Sequence, residues 1–373
     1  MKNEWKELTV GEILQLEYGK PLDESDRKSN GRFPVYGANG EKDRTDRFYC
    51  EKPSIIVGRK GSAGEINLTK EKFWPLDVTY FVKFDEKKHD LRFLYYLLTK
   101  LDLPKLAKGV KPGINRNEVY SIVVKAPSLS EQQRIVGILD EAFEDIATAK
   151  VNAEKNLKNA SDLFECLLQS VFIHRGTGWK DRTLDQVCVV ERGSSPRPIK
   201  SYFTTKPDGV NWIKIGDTEE GGKYVYSTAQ KITPKGAEQS RFVREGDFIL
   251  TNSMSFGRPY IMKTTGYIHD GWFVLRLNDS IDTEYFYYLL SSRFVQDQFV
   301  RLASGAVVKN ISGDLVKQAV LPIPPLGHQR EIVKKLTGVS TQTQKLESIY
   351  QNKLAALETL RKSLLNQAFS GKL

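Results

Sequence analysis

The chain has 373 residues, 40% of them hydrophobic and 27% charged, which is enough apolar material for two or three domains with their own cores and too much for a disordered chain. Its 56 Lys and Arg against 46 Asp and Glu leave a formal charge of +10, a balance that suits a nucleic-acid partner without requiring one. No run of about 18 apolar residues is present to span a membrane, the opening MKNEWKELTV lacks a secretory apolar stretch, and Cys50, Cys166 and Cys188 stand too far apart for a zinc site or a disulfide framework, so a cytoplasmic protein is expected.

In chain order, residues 1–128 are short β-branched and aromatic runs such as PSIIVG and TYFVKF between Gly, Asn, Asp and Pro turns, which predicts a mixed α/β domain with a bent sheet. A helical pattern in LLTKLDLPKLAKG closes it. Residues 129–172 predict one long helix, with Ser130 as N-cap, Gln133 three residues on, and Arg175-Gly176 at the end. Its seam is Leu139, Phe143, Ile146, Lys150, Ala153, Leu157, Ala160, Phe164, Leu167 and Val171, at alternating spacings of four and three and apolar except for Lys150. Residues 173–326 return to the strand grammar with GDFILT and GWFVLRL, and to a helical pattern in YYLLSSRFVQDQFVRLASG. Residues 327–373 predict a second long helix with Leu336, Val339, Leu346, Tyr350, Leu357, Leu360 and Leu364 on one stripe, interrupted at Thr343 and Lys353.

The order of parts already shows a duplication, and the residues confirm it. KAPSLSEQQRIVGIL at 125–139 matches PIPPLGHQREIVKKL at 322–336, with Pro127 on Pro324, Leu129 on Leu326, Gln132 on Gln329, and Ile135-Val136 on Ile332-Val333. Leu94-Tyr95-Tyr96 falls on Phe286-Tyr287-Tyr288, and Trp5-Lys6 on Trp179-Lys180. A repeat this long makes the chain two copies of one unit. The first long helix carries 4 basic and 8 acidic residues and the second, over 327–373, 8 and 3. Opposite signs favour an antiparallel pairing of the two, which in turn delivers the C-terminus to the place where the first domain begins. The stretch from Phe172 to Trp179 then matches the stretch from Phe369 through the joined ends to Trp5.

Catalytic signatures are missing: there is no phosphate-cradling G-x-x-x-x-G-K-[ST], no H-E-x-x-H, no G-x-S-x-G, and no N-P-P-aromatic run of an adenine methyltransferase. The four histidines are scattered away from acidic or cysteine neighbours at ligand spacing, so neither a metal nor a cofactor is expected. The β-rich parts instead hold glycine-loosened basic loops. In the first copy these present Lys20, Tyr36, Asn39, Arg59, Lys60 and Lys111; in the second they present Arg192, Ser194, Arg197, Lys214, Asn252, Ser253, Arg258, Lys309 and Asn310. Arginine and lysine reach guanine edges or phosphates and asparagine suits adenine, so these are the candidate DNA-binding residues. A nuclease or methyltransferase acting alone and a coiled-coil scaffold for proteins are the competing readings; the first lacks a motif, and the second predicts no salt-sensitive DNA binding.

At this point the chain resembles the specificity subunit of type I restriction-modification systems. The resemblance rests on the Pro-x-Leu-x-x-Gln-x-x-Ile-Val lead-in at Pro127 to Val136 and again at Pro324 to Val333. It rests equally on Trp212, Lys214, Ile215 and Asp217, on Gly246-Asp247, Ser255-Phe256-Gly257 and His269-Asp270-Gly271-Trp272, and on Ser304-Gly305. His328 departs from the acidic residue that precedes the glutamine in the family. The resemblance implies an α+β chain, pseudo-two-fold symmetric, of two target-recognition domains (1–128 and 173–326) joined by two long antiparallel coiled-coil helices (129–172 and 327–373). It further implies a non-catalytic reader of a bipartite site in double-stranded DNA. The helices, with Leu139, Phe143, Ile146, Leu157, Phe164, Leu336, Leu346, Leu357 and Leu364 in their seam, would recruit two modification subunits that use S-adenosylmethionine. Restriction subunits using ATP and magnesium would join in the full complex. A helix of about 43 residues is about 65 Å long at 1.5 Å per residue, a suitable spacer between half-sites.

Overall fold

The computed structural model describes residues 5–219, 221–252, 257–303 and 312–373, and the chain divides into two units. One comprises Met1–Glu154 with Gln351–Leu373, and the other Lys155–Tyr350. The long helices Leu129–Ile173 and Leu326–Ala368 each contribute one end to each unit. Among the described residues no helix is long and apolar enough to cross a membrane.

In the first unit the strand Leu14–Tyr18 alternates buried Leu14 and Leu16 with outward Gln15, while Ile55–Gly58 is buried throughout. The first is therefore an edge and the second an interior strand. They join a four-stranded antiparallel sheet ordered Leu14–Tyr18, Thr79–Phe84, Ile55–Gly58, Ile66–Leu68. A three-stranded sheet, Gly40–Thr45, Phe33–Gly37 and Trp74–Pro75, and the antiparallel pair Lys6–Thr9 with Val123–Ala126 complete it. The helix Leu91–Lys100 is capped by Asp90, whose carboxylate accepts from the amides of Arg92 and Phe93. The core lies between this helix, the four-stranded sheet and the ends of both long helices, through Val57, Val82, Phe93, Leu97, Leu139 and Phe369.

The second unit repeats the plan with additions. Cys188–Arg192, Trp272–Leu277, Phe248–Thr251 and Pro259–Met262 reproduce the four-stranded sheet, and Tyr224–Val225 adds a fifth strand in parallel. Where the first unit has three strands, the second has five: Phe203–Thr204, Gln230–Ile232, Val210–Ile213, Gly266–Ile268 and Arg241–Val243. The extra length of the second copy thus enlarges the smaller sheet. Asp282 caps Thr283–Ser291 as Asp90 caps its counterpart. The helical patterns at the end of each β-rich part are interrupted: Asp102 at φ 54° followed by Pro104 stops the first after Lys100, and extended Ser292 separates Thr283–Ser291 from Arg293–Ala303.

The lead-in glutamines explain their own motif. Gln132 is fully buried; its Oε1 accepts from the amide of Asp90 at 2.9 Å, and its Nε2 donates to the carbonyls of Pro127 at 2.9 Å and Lys88 at 3.1 Å. Gln329 does the same with Asp282 (2.8 Å), Pro324 (2.9 Å) and Ser280 (3.2 Å). Each glutamine rivets the first turn of a long helix to the loop that caps the neighbouring domain helix. The first helix begins two residues earlier than an N-cap at Ser130 implies: Leu129 is its first residue, and the carbonyl of Ser128 accepts from Gln132, which makes Ser128 the cap.

Within each unit the ends of the long helices run antiparallel. Leu139 and Ala153 are buried, Phe143, Leu157 and Phe164 half-buried, and Ile146 is 8% exposed, so the first seam stands as read. Its one charged position, Lys150, meets Glu358 of the second helix at 3.0 Å. The second seam differs from expectation. Leu346 is 40% exposed and Leu360 47%, whereas Thr343, read as an interruption, is 4% exposed. The inward positions run Leu336, Ser340, Thr343, Glu347, Tyr350, Leu354, Leu357 and Arg361, a stripe that the polar residues hid from a hydrophobicity count. Leu336, Leu357 and Leu364 keep their inward places.

Gly371 and Trp5 meet in the first unit. A Cβ on Gly371 would lie 3.6 Å from Trp5 Nε1, as one on Gly176 would lie 3.4 Å from Trp179 Nε1 in the second. Joining residue 373 to residue 1 by a short Gly/Ser linker and reopening the chain at Thr177 is therefore expected to preserve folding, since neither break removes core or ladder contacts. Circular dichroism melting checks it: a permutein that folds only to a molten or aggregated state contradicts the arrangement.

Candidate nucleic-acid interface

Several of the candidate residues lie where strands leave the sheet built on Leu14–Tyr18 in the first unit and on Cys188–Arg192 in the second, and two loops there recur in both units. The strand Leu14–Tyr18 leaves the sheet through Gly19, whose amide donates to Thr79 O at 3.1 Å; Cys188–Arg192 leaves through Gly193, whose amide donates to Trp272 O at 2.8 Å. A Cβ on either glycine would fall 2.0 Å from a carbonyl oxygen, of Leu76 or His269, so only glycine admits this approach. The loop Gly58–Gly64 closes with the Gly64 amide on Gly58 O at 2.7 Å, and Thr251–Gly257 with the Gly257 amide on Thr251 O at 2.9 Å.

In the first unit this edge assembles segments distant in sequence. The amides of Arg59 and Lys60 donate to Val78 O (2.9 and 3.2 Å), and that of Lys20 to Pro75 O (2.8 Å). The loop Lys108–Gly113 is tied on by Gly61 N to Pro112 O at 2.9 Å and Ile114 N to Arg59 O at 3.0 Å. Lys20, Arg59, Lys60 and Lys111 are thus brought together. Lys20, Lys60 and Lys111 are exposed and form no ion pair among the described residues. Arg59 donates to Asp77 O at 2.7 Å and lies over the Tyr18 ring at 5.3 Å, with Arg116 over the same ring at 5.0 Å. Arg116 was not anticipated, because nothing near it in sequence marks a partner about a hundred residues away. Tyr80 lies beside Tyr18 at 5.1 Å, and burial pushes its phenol up to about 12. Asn39 is exposed at the tip of the Gly37–Gly40 hairpin. Tyr36 is half-buried against Phe73, its pKa raised by burial, and its carbonyl accepts from Leu76.

In the second unit the organiser is Asp270. Its carboxylate accepts from Ser195 Oγ at 2.7 Å and pairs with Arg197 at 3.3 Å, while its carbonyl accepts from Arg192 Nε at 3.3 Å and Asn252 Nδ2 at 2.7 Å. The Ser195 hydroxyl holds the Asp270 carboxyl below its ordinary value. Asn252, expected to face DNA, is 2% exposed and its amide nitrogen is committed to Asp270; it positions the loop. Ser194 Oγ donates to Gln239 O at 3.0 Å. Lys214 is half-buried in the turn that Asp217 closes, and its charge lies near enough His269 to add to the burial that lowers the imidazole's pKa. Arg258 is half-buried over Tyr260 at 5.7 Å. The Arg197 side chain is 81% exposed. Ser253, Lys309 and Asn310 lie outside the described residues. Among the described residues no group of three His, Cys, Asp or Glu side chains is placed to hold a metal.

Comparison with known proteins gives the same direction. The family model described as "Type I restriction modification DNA specificity domain" matches residues 2–158 and 176–356. The specificity subunit of the type I restriction enzyme EcoDI of Escherichia coli is 21% identical, over 99% of this chain and 89% of its own. Among solved structures, a chain from a study of complex assembly and conformational transition of the type I R-M system aligns with a TM-score of 0.80 at 20% identity, covering 99% of this chain and 98% of that one. The HsdS subunit from Thermoanaerobacter tengcongensis aligns at 0.62 and 20%, covering 99% and 97%. The chain belongs to the type I restriction-modification DNA specificity family.

Proposed function

We propose that this chain reads a bipartite site in double-stranded DNA, one half with the sheet edge of each unit, on behalf of a type I restriction-modification complex. The observation that carries the reading is the doubled edge: the exits at Gly19 and Gly193 and the loops Gly58–Gly64 and Thr251–Gly257 are closed by the same backbone bonds in both units, with basic side chains at or next to them. In this reading Lys20, Lys60, Lys111 and Arg59 serve one half, and Arg192, Arg197 and Arg258 the other. The long helices hold two modification subunits, and restriction subunits join the complete assembly. The chain itself binds and orients, with target-recognition domains over 1–128 and 173–326.

The pure chain incubated with DNA, S-adenosylmethionine, ATP and magnesium is expected to neither methylate nor cleave. Methyl transfer, followed with a radiolabelled donor, is expected only after a modification subunit is added. Turnover by the chain alone would contradict the reading.

A further inference from the structure

The two units also differ where the domain helix meets the long helices. In the first unit this junction is packed: Phe143 lies against Tyr96 at 5.4 Å and under Arg361 at 5.4 Å, and Ile146 is buried. The repeat puts Ser340 and Thr343 at those two positions in the second unit, and a cavity of about 590 Å³ opens there. The charges are inverted as well. Arg92, Lys150 and Lys362 of the first unit correspond to Glu284, Glu347 and Glu165 of the second, all three of which line the cavity. Arg92 and Lys150 are neutralised by Asp140 (2.8 Å) and Glu358 (3.0 Å), but the residues in the places of those acids are Thr337 and Ser161.

One cation already occupies the wall. Lys223 Nζ lies 4.6 Å from the ring of Tyr287, 5.3 Å from Tyr224 and 5.6 Å from Tyr288, and it pairs with Glu284. Tyrosine faces attract cations through the ring quadrupole, so this wall is chemically suited to ammonium and guanidinium groups. Glu165 and Glu347 are half-buried on the same cavity and form no ion pair among the described residues. Two carboxylates without a counter-charge on one concave wall attract a cation, and a packed alternative exists in the other half of the same chain. We propose that this cavity of the second unit binds an organic cation carrying a guanidinium or ammonium group, seated between Glu165 and Glu347 against the aromatic wall.

Calorimetric titration of the full chain with agmatine and with spermidine tests it. One saturable site per chain is expected. The nearly isosteric pair Glu165→Gln with Glu347→Gln is expected to weaken binding at least tenfold. Ser340→Phe with Thr343→Ile, which copies the packing of the first unit, is expected to abolish binding without lowering the melting temperature. No saturable binding, or a glutamine pair that binds within twofold of the unaltered chain, would overturn the proposal. If the filled variant does not fold, the glutamine pair carries the test alone. Repeating the titration with the modification subunit bound separates the two sources of the cation. Loss of agmatine binding assigns the site to a basic side chain of that subunit, and unchanged binding assigns it to a free polyamine. That arm alone rests on the function proposed above; the titration of the isolated chain does not.

Discussion

Replacing Lys20, Lys60 and Lys111 together by alanine is expected to lower DNA affinity on the order of 100-fold at low salt and to reduce the slope of log K against log salt by about 3. The three ammonium groups come from three separate segments that backbone bonds draw to one sheet edge, and none is neutralised by a carboxylate among the described residues. Each is therefore free to displace a counterion from a phosphate. The loss should be nearly uniform across DNA sequences, because a lysine–phosphate contact carries no base information. Folding should be unaffected, since all three side chains are exposed and only their backbones hold the loops. Fluorescence anisotropy across a salt series reads both quantities. An unchanged slope would remove this edge from the DNA interface.

The second large effect is on stability. Gln132→Ala or Gln329→Ala removes one acceptor and two donor bonds from a buried site, stranding an amide and two carbonyls. At the usual cost of a buried unsatisfied group, the loss is about 3 kcal/mol for either substitution, a fall of about 6–12 °C in melting temperature for a unit of this size. Gln132→Glu is expected to be no better, because a carboxylate keeps the acceptor for Asp90 but turns a lone pair toward the carbonyls of Lys88 and Pro127. Loss of the rivet should also raise hydrogen exchange at the amide of Asp90 or Asp282. A change under about 0.5 kcal/mol in both alanine variants would show that the lead-in motif is held for another reason.

Sequence reading went furthest where physics is local and repeated. The duplication, the two long helices and the first seam followed from spacing alone, because Leu139, Ile146 and Ala153 announce themselves as apolar at alternating intervals of four and three. The second seam was misread by one position at Leu346 and Leu360, because its inward residues include Ser340, Thr343, Glu347 and Arg361, which line a polar cavity or an ion-paired junction. The lead-in glutamine was visible as a motif, but its role was not. What it bonds, a backbone amide and carbonyls about forty-five residues upstream and five residues back, leaves no mark in composition. The candidate interface was legible as a set of loops and illegible as a surface. Lys20, Lys60 and Lys111 were named for their charge, yet only the pairing of Gly61 with Pro112 and of Lys20 with Pro75 places them together. Asn252 illustrates the converse: its type suits adenine, and its burial assigns it to Asp270.

The central claim is that each unit reads its own half of a split site, and the most direct measurement of it is a binding-site selection with the modification subunit present, comparing the unaltered chain with Arg197→Ala. The unaltered chain should select two short conserved blocks separated by a stretch of fixed length and free sequence. Arg197→Ala should relax preference within one block by about 1–3 kcal/mol if the guanidinium reads a guanine, leaving the other block unchanged. Selection of a single uninterrupted block, or equal relaxation of both blocks by this one substitution, would contradict the account.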